Sequence, residues 1–198
     1  MTEKAVRTRN KAKTRQKLLA AARELFYEDG ICATGVSAVA ERAGVTKMTL
    51  YAHFSSKDDL VGAYLEDSDL RWRGFMEEKL SGYEDSRDRL LAVCDAYREY
   101  FTAREVRGCA FVNCAAEFPN PDHPARRMFG RHKAGVRERL RDLAAEAGAE
   151  DSGTLAERLF VVLEGAYVTG ALEGDRGVLD RSRAFFADLV EAGVRDRP

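Results

Sequence analysis

Apolar residues recur along this chain at helical spacing, and no segment shows the alternation of a strand. Leu18, Leu19, Ala22, Leu25 and Phe26 fall on one helical face. Thr14 is a candidate cap for that helix and Gly30 its stop. Val36, Val39, Ala40 and Ala43 form a second, shorter face that ends at Gly44. Thr46 sits where it can cap a third helix, Lys47 to Phe54. Ser56-Lys57-Asp58-Asp59 reads as a capping box that opens a long fourth helix through Leu60, Ala63, Tyr64 and Leu80. Helical patterning continues over Arg87 to Ala103, Cys109 to Phe118, Ala125 to Ala147, Leu155 to Leu172 and Arg181 to Val194. Pro119-Asn120-Pro121-Asp122-His123-Pro124 reads as a rigid loop. The pattern predicts an all-α fold of about nine helices.

Composition agrees. Of 198 residues, 45% are hydrophobic, 33% are charged and four are proline, a balance that favours helix and a globular chain. No apolar run approaches the ~18 residues of a membrane span. The basic start, Met1 to Lys17, has no apolar stretch behind it, so it does not read as a secretory signal. The expected compartment is the cytoplasm.

The net charge of −1 hides a contrast. Met1 to Lys57 holds 11 Lys/Arg against 5 Asp/Glu, and Asp58 to Pro198 holds 21 against 28. A basic head on an acidic body points to a polyanionic partner for the head alone. Lys4, Arg7, Arg9, Lys11, Lys13, Arg15 and Lys17 concentrate that charge ahead of Leu18. A solvated tail is the plain alternative.

The segment Thr34 to Lys57 carries the chemistry. Two short helices joined by Ala43-Gly44-Val45-Thr46 form a helix-turn-helix. Ala40 is small where the helices cross. Gly44 can take the positive φ of a sharp turn. Val45 fills the space beneath it, and Thr46 caps the second helix, which is short enough to lie in a major groove. On Val39-Ala40, Ala43-Gly44-Val45-Thr46, Thr49-Leu50-Tyr51, His53-Phe54 and Lys57, with a preceding helix ending in Leu25-Phe26 and Gly30, the chain closely resembles the TetR family of bacterial regulators. The resemblance in sequence covers roughly the first third. Beyond Leu60, length, helix number and helix order fit.

That resemblance implies a helix-turn-helix DNA-binding domain over residues 1–57 and a helical effector-binding and dimerisation domain over 58–198. It implies that Lys47, Met48 and Thr49 read bases in the major groove, Lys47 at guanine and Met48 or Thr49 at a thymine methyl. Tyr51, His53 and Lys57 match positions that touch phosphates. Gly35 stands where the family often has Thr or Ser, so Thr34 or Ser37 is expected to supply that contact. Met48 stands where glycine is common, so base readout should differ from that of relatives. Beside such a motif, Arg7, Arg9, Lys11 and Arg15 are expected to act as a flexible arm on the DNA backbone. The implied function is a ligand-released repressor that binds a palindromic operator as a homodimer.

The last two helices are then the expected dimer interface, through Leu155, Leu159, Val162, Ala166, Thr169 and Gly170 on one and Phe185, Phe186, Leu189 and Val190 on the other. An intrachain core is the alternative for each. The middle helices are expected to enclose an effector that is partly apolar. Candidate walls are Trp72, Phe75, Met76, Tyr97, Phe101, Phe111, Phe118, Phe129 and Tyr167, with Asn113, Glu117 and Glu164 as polar contacts or structural groups.

Cys32, Cys94, Cys109 and Cys114 contain no C-x-x-C pair and read as reduced thiols, with redox sensing the sharper alternative. His123, His132 and Glu117 fit no metal-ligand spacing, so neither metal nor cofactor is expected. No phosphate loop, nucleophile elbow or His-Glu pair supports an enzyme. A DNA-binding protein without an effector is the closer rival.

Overall fold

A computed structural model describes residues 3–103, 107–175 and 177–194. Among these the chain forms nine helices and no strand, with one isolated bridge between Ala149 and Val194. The helices are α1 (Glu3–Glu28), α2 (Val36–Arg42), α3 (Lys47–Tyr51), α4 (Lys57–Leu80), α5 (Ser86–Thr102), α6 (Ala110–Glu117), α7 (Pro124–Glu146), α8 (Ser152–Glu173) and α9 (Val178–Gly193). None of the described helices is long and apolar enough to cross a membrane.

Packing gathers the chain into two compact units. One holds the residues up to Ser68 with Ala110–Phe129, and the other holds Asp69–Cys109 with Gly130 onward. This division falls within α4 and α7, not after Lys57. In the first unit α1 packs on α2 and α2 on α3. Leu18, Ala22, Phe26, Val39, Ala40, Leu50, Phe54 and Tyr64 are buried there, each large side chain contributing about 1.5–3 kcal/mol. Phe26 meets Tyr64 edge-on, with centroids 5.5 Å apart.

The start of α1 corrects two expectations. The helix begins at Glu3, so Thr14 is internal and its hydroxyl donates to the Asn10 carbonyl at 3.0 Å instead of capping. Arg9, Lys11, Lys13, Arg15 and Lys17 therefore ride on a helix and are not a flexible arm. The physical reason is propensity: Ala, Lys, Arg and Gln dominate this stretch, and all extend a helix already anchored at Leu18. Met1, Thr2 and the side chains of Lys4 and Arg7 lie outside the described residues.

The second unit is a helical core. There α8 packs on α9, and α5 packs on both. Trp72, Leu90, Tyr97, Phe101, Leu140, Leu159, Leu163 and Phe186 are among its buried side chains. Asp85 caps α5 by accepting the amides of Arg87 and Asp88, and Asp151 caps α8 by accepting that of Thr154.

Candidate nucleic-acid interface

The turn between α2 and α3 is built by local bonds. Gly44 takes φ +68°. Its amide donates to the Glu41 carbonyl, and the Val45 amide donates to the Ala40 carbonyl, both at 2.9 Å. This pair of bonds is a Schellman motif, and a side chain at position 44 would strain it. Thr46 accepts the Thr49 amide at 3.1 Å and caps α3. Gly35 leads into α2 without a side-chain cap. At the start of α4 the Asp59 amide donates to Ser56 Oγ at 3.0 Å, and the Ser55 amide donates to Asp59 Oδ2 at 2.8 Å. The box is real but reaches one residue further back than the sequence suggests.

These bonds decide which side chains face outward. Met48 is 80% exposed, and Lys47 is exposed beside it. Thr49 is half-buried, its hydroxyl 2.9 Å from that of Thr46. The Lys47 ammonium lies 5.9 Å from the Tyr51 ring, which is also exposed. Leu50 and Phe54 turn inward. Ser37 is exposed at the start of α2. Thr34 is not: it is buried, and its hydroxyl donates to the carbonyls of Gly30 at 2.7 Å and Leu25 at 3.3 Å. The expected phosphate contact from Thr34 is corrected accordingly, leaving Ser37 as the hydroxyl at that end.

His53 is half-buried, and its Nδ1 has no hydrogen-bond partner among the described residues. Burial pushes its pKa below the ordinary value, and nearby Lys11 and Arg15 push it the same way. The Arg15 guanidinium lies 5.1 Å from the Phe54 ring. The basic face of α1 and the end of the recognition motif thus form one positive surface. Lys57 Nζ donates to the Cys32 carbonyl at 3.3 Å.

The expected effector residues separate. Trp72, Phe75, Tyr97, Phe101, Glu164 and Tyr167 gather in the second unit. Trp72 meets Tyr97 edge-on at 4.6 Å, Tyr97 lies 5.8 Å from Tyr167, and Phe101 lies 5.1 Å from Tyr167. Glu164 is not free: it pairs with Lys133 at 2.5 Å and lies beside Tyr97. Lys133 is 4% exposed and also donates to Cys109 Sγ at 3.6 Å. Burial, with Glu164 adding to it, holds the Tyr97 pKa well above its ordinary value. A cleft of about 320 Å³ between α4 and α7 is lined by Trp72, Met76, Val136, His132 and Asp69 among others. His132 Nδ1 lies 2.6 Å from Asp69 there.

Phe111, Asn113, Glu117 and Phe129 belong to the first unit. Phe111 is buried, Phe129 stacks under Arg126, and both Glu117 carboxylate oxygens accept backbone amides. Glu117 is therefore corrected from effector contact to structural acceptor. Of the residues that matter here, sequence reading missed Lys133. It lies on the buried face of α7 with Met128, His132, Val136 and Leu140. A charge at an apolar position was the available signal.

The expected dimer stripe is also corrected. Leu155, Leu159, Ala166, Gly170, Phe186 and Val190 are buried in the core of their own chain. The outward apolar face of α8 is one notch around: Val161 at 65% and Leu172 at 83% exposure, with Gly165 and Val168 between them. Val162 and Leu189 are half-buried, and Phe185 is 56% exposed on α9.

A glycine-turned helix pair with an exposed second helix and a basic flank defines a helix-turn-helix DNA-binding transcription regulator. Residues 18–64 match the model of bacterial regulatory proteins of the tetR family, and residues 86–186 match that of the tetracyclin repressor-like C-terminal domain. The HTH-type transcriptional activator FasR of Mycolicibacterium smegmatis is 30% identical over 180 residues, covering 91% of this chain and 78% of that protein. The HTH-type transcriptional repressor KstR2 of Rhodococcus jostii is 36% identical over 78 residues, 39% of this chain and 35% of that one. A crystal structure of a TetR-family transcriptional regulator from Streptomyces coelicolor superposes with a TM-score of 0.87 at 29% identity, over 93% of this chain and 97% of that one. The chain belongs to the TetR family of bacterial transcriptional regulators. Its relatives regulate transcription and are not enzymes.

Proposed function

We propose that this regulator is a cytoplasmic, ligand-released repressor that binds a palindromic operator as a homodimer. The observation that carries DNA reading is the α3 surface: Lys47, Met48 and Thr49 project from a helix that Thr46 and Gly44 hold rigidly. Tyr51, His53, Lys57, Ser37 and Arg15 flank it as phosphate contacts. The dimer forms through the stripe Val161, Gly165, Val168 and Leu172 with Phe185 and Leu189, which two-fold symmetry lets each copy bury against the other. Exposed Val161, Leu172 and Phe185 on neighbouring helices support an interaction surface there.

The effector binds in the second unit, at the Trp72 side of the α4–α7 cleft and the aromatic group behind it. A buried Lys133 ammonium paired with a largely buried Glu164 carboxylate beside Tyr97 is costly to keep, which supports a binding role. The effector acts by favouring one spacing of the two DNA-binding heads over another, since only differential affinity shifts such an equilibrium. Activation is the second reading, favoured by the long match to an activator.

Selection of bound duplexes from a random pool, followed by a promoter–reporter assay with and without the regulator, tests this. An inverted repeat and a reporter that rises on deletion support the proposal. A reporter that falls on deletion assigns activation. Enrichment of no sequence overturns operator binding.

A further inference from the structure

We propose that Glu117 is a positioning residue for DNA binding: its carboxylate holds the turn after α1 in the shape that aims Lys57 at the DNA backbone. The inference rests on the reading of Lys57 as a phosphate contact.

Glu117 is the last residue of α6. Its Oε1 accepts the Ile31 amide at 3.0 Å, and its Oε2 accepts the Cys32 amide at 2.6 Å. Two successive backbone amides thus converge on one carboxylate, the arrangement that binds anions in backbone nests. Each bond has a charged acceptor and is stronger than a bond between neutral groups. Gly30 is fitted to this contact twice over. It takes φ +96°, and a Cβ there would sit 3.3 Å from both carboxylate oxygens. From the other side Thr34 ties the same turn to Leu25 and Gly30.

The turn in turn holds Lys57. The Cys32 carbonyl, in the residue whose amide Glu117 binds, accepts Lys57 Nζ at 3.3 Å. A continuous line of bonds therefore runs from the Glu117 carboxylate through Cys32 to the Lys57 ammonium. Lys57 stands at the first residue of α4, where the helix dipole also favours a phosphate. Lysine has a long and freely rotating stem, so fixing its ammonium beforehand lowers the entropy lost on binding. Thr34 braces this turn locally, but the acceptor for the Ile31 and Cys32 amides is remote. The acceptor that organises the turn comes from a residue more than eighty positions away (separation 86).

The test measures anisotropy of a labelled duplex, selected from a random pool by the wild-type protein, across a salt series. Wild type, Glu117→Ala, Glu117→Gln, Lys57→Ala and the Glu117→Ala/Lys57→Ala double variant are compared, each checked by thermal melting. Glu117→Ala should weaken binding about fivefold, the order of one lost charge-assisted phosphate contact. It should lower the slope of log K against log salt by about 0.9 per subunit, as Lys57→Ala does. Glu117→Gln keeps one acceptor but turns its NH2 on the second amide, and should fall between. The double variant should bind no worse than Lys57→Ala.

Wild-type affinity and slope in Glu117→Ala and Glu117→Gln, beside a reduced slope in Lys57→Ala, would overturn the proposal alone. So would losses that multiply in the double variant, or affinity lost at an unchanged slope, which marks a general loss of fold. An unchanged slope in Lys57→Ala would instead remove the phosphate reading on which the proposal stands.

Discussion

The helix-turn-helix head and the helical body bury similar apolar side chains but treat polar groups differently. In the head, polar groups are mostly satisfied within a few residues: Thr46 by Thr49, Asp59 by Ser55 and Ser56, Gly44 by Glu41. In the body, buried polar groups reach across helices, Lys133 to Glu164 and His132 to Asp69. The turn and caps around α3 are therefore fixed by short motifs, while the turn that receives Lys57 draws its acceptor from Glu117 on α6. The body is held by pairs between helices, Lys133 on α7 with Glu164 on α8 and His132 on α7 with Asp69 on α4.

The sharpest way to break this comparison is to unpair the body. Lys133→Met leaves the largely buried Glu164 carboxylate without its cation, and should cost about 3–5 kcal/mol in urea unfolding. Lys133→Met with Glu164→Leu should recover most of that loss. A single variant within ~1 kcal/mol of wild type would mean that water already solvates the pair.

Next in size is the outward face of α8. Val161→Arg with Leu172→Arg should give a folded monomer in sedimentation, with operator affinity lower by roughly 100-fold or more because the second half-site no longer binds intramolecularly. A variant that remains dimeric refutes the placement. Phe186→Arg, by contrast, should unfold the protein, since Phe186 is fully buried.

A smaller effect is expected in the head. Thr46→Ala removes the α3 cap and should lower stability by about 1 kcal/mol, with DNA affinity falling alongside. If stability drops and affinity does not, the recognition helix is ordered by DNA itself.

The smallest effect is a pH dependence. Free His53 is held below its ordinary pKa by burial and by Lys11 and Arg15. A phosphate beside it raises the pKa, so binding takes up a proton. Affinity should therefore rise modestly as pH falls from about 7.5 to about 6, across the ordinary histidine range. His53→Gln should flatten this profile. A wild-type profile as flat as the variant's would place His53 away from the backbone.

What the sequence made legible follows the same division. Every helix of the head could be read, because caps, the Gly44 turn and the apolar faces are local signals. The exceptions were Thr14 and the basic segment, where charge suggested a loose arm although Ala, Lys, Arg and Gln favour continuing α1. In the body the helices were legible but their faces were not. Both sides of α8 are apolar: Leu155, Leu159 and Leu163 face inward, while Val161, Val168 and Leu172 do not. Periodicity registers such a helix without saying which side meets its own chain. Glu117 looked like a ligand contact because it is polar within an apolar stretch. Its partners are backbone amides, which carry no mark in a sequence.

The central claim is that α3 reads bases while its flanks hold the backbone. The most direct test is to repeat the random-pool selection with Lys47→Ala, Met48→Ala and Lys57→Ala. The account predicts that the first two change the preferred base at symmetric positions of the two half-sites, while Lys57→Ala selects the wild-type sequence with weaker binding. An identical preferred sequence from all three variants and the wild type would contradict it.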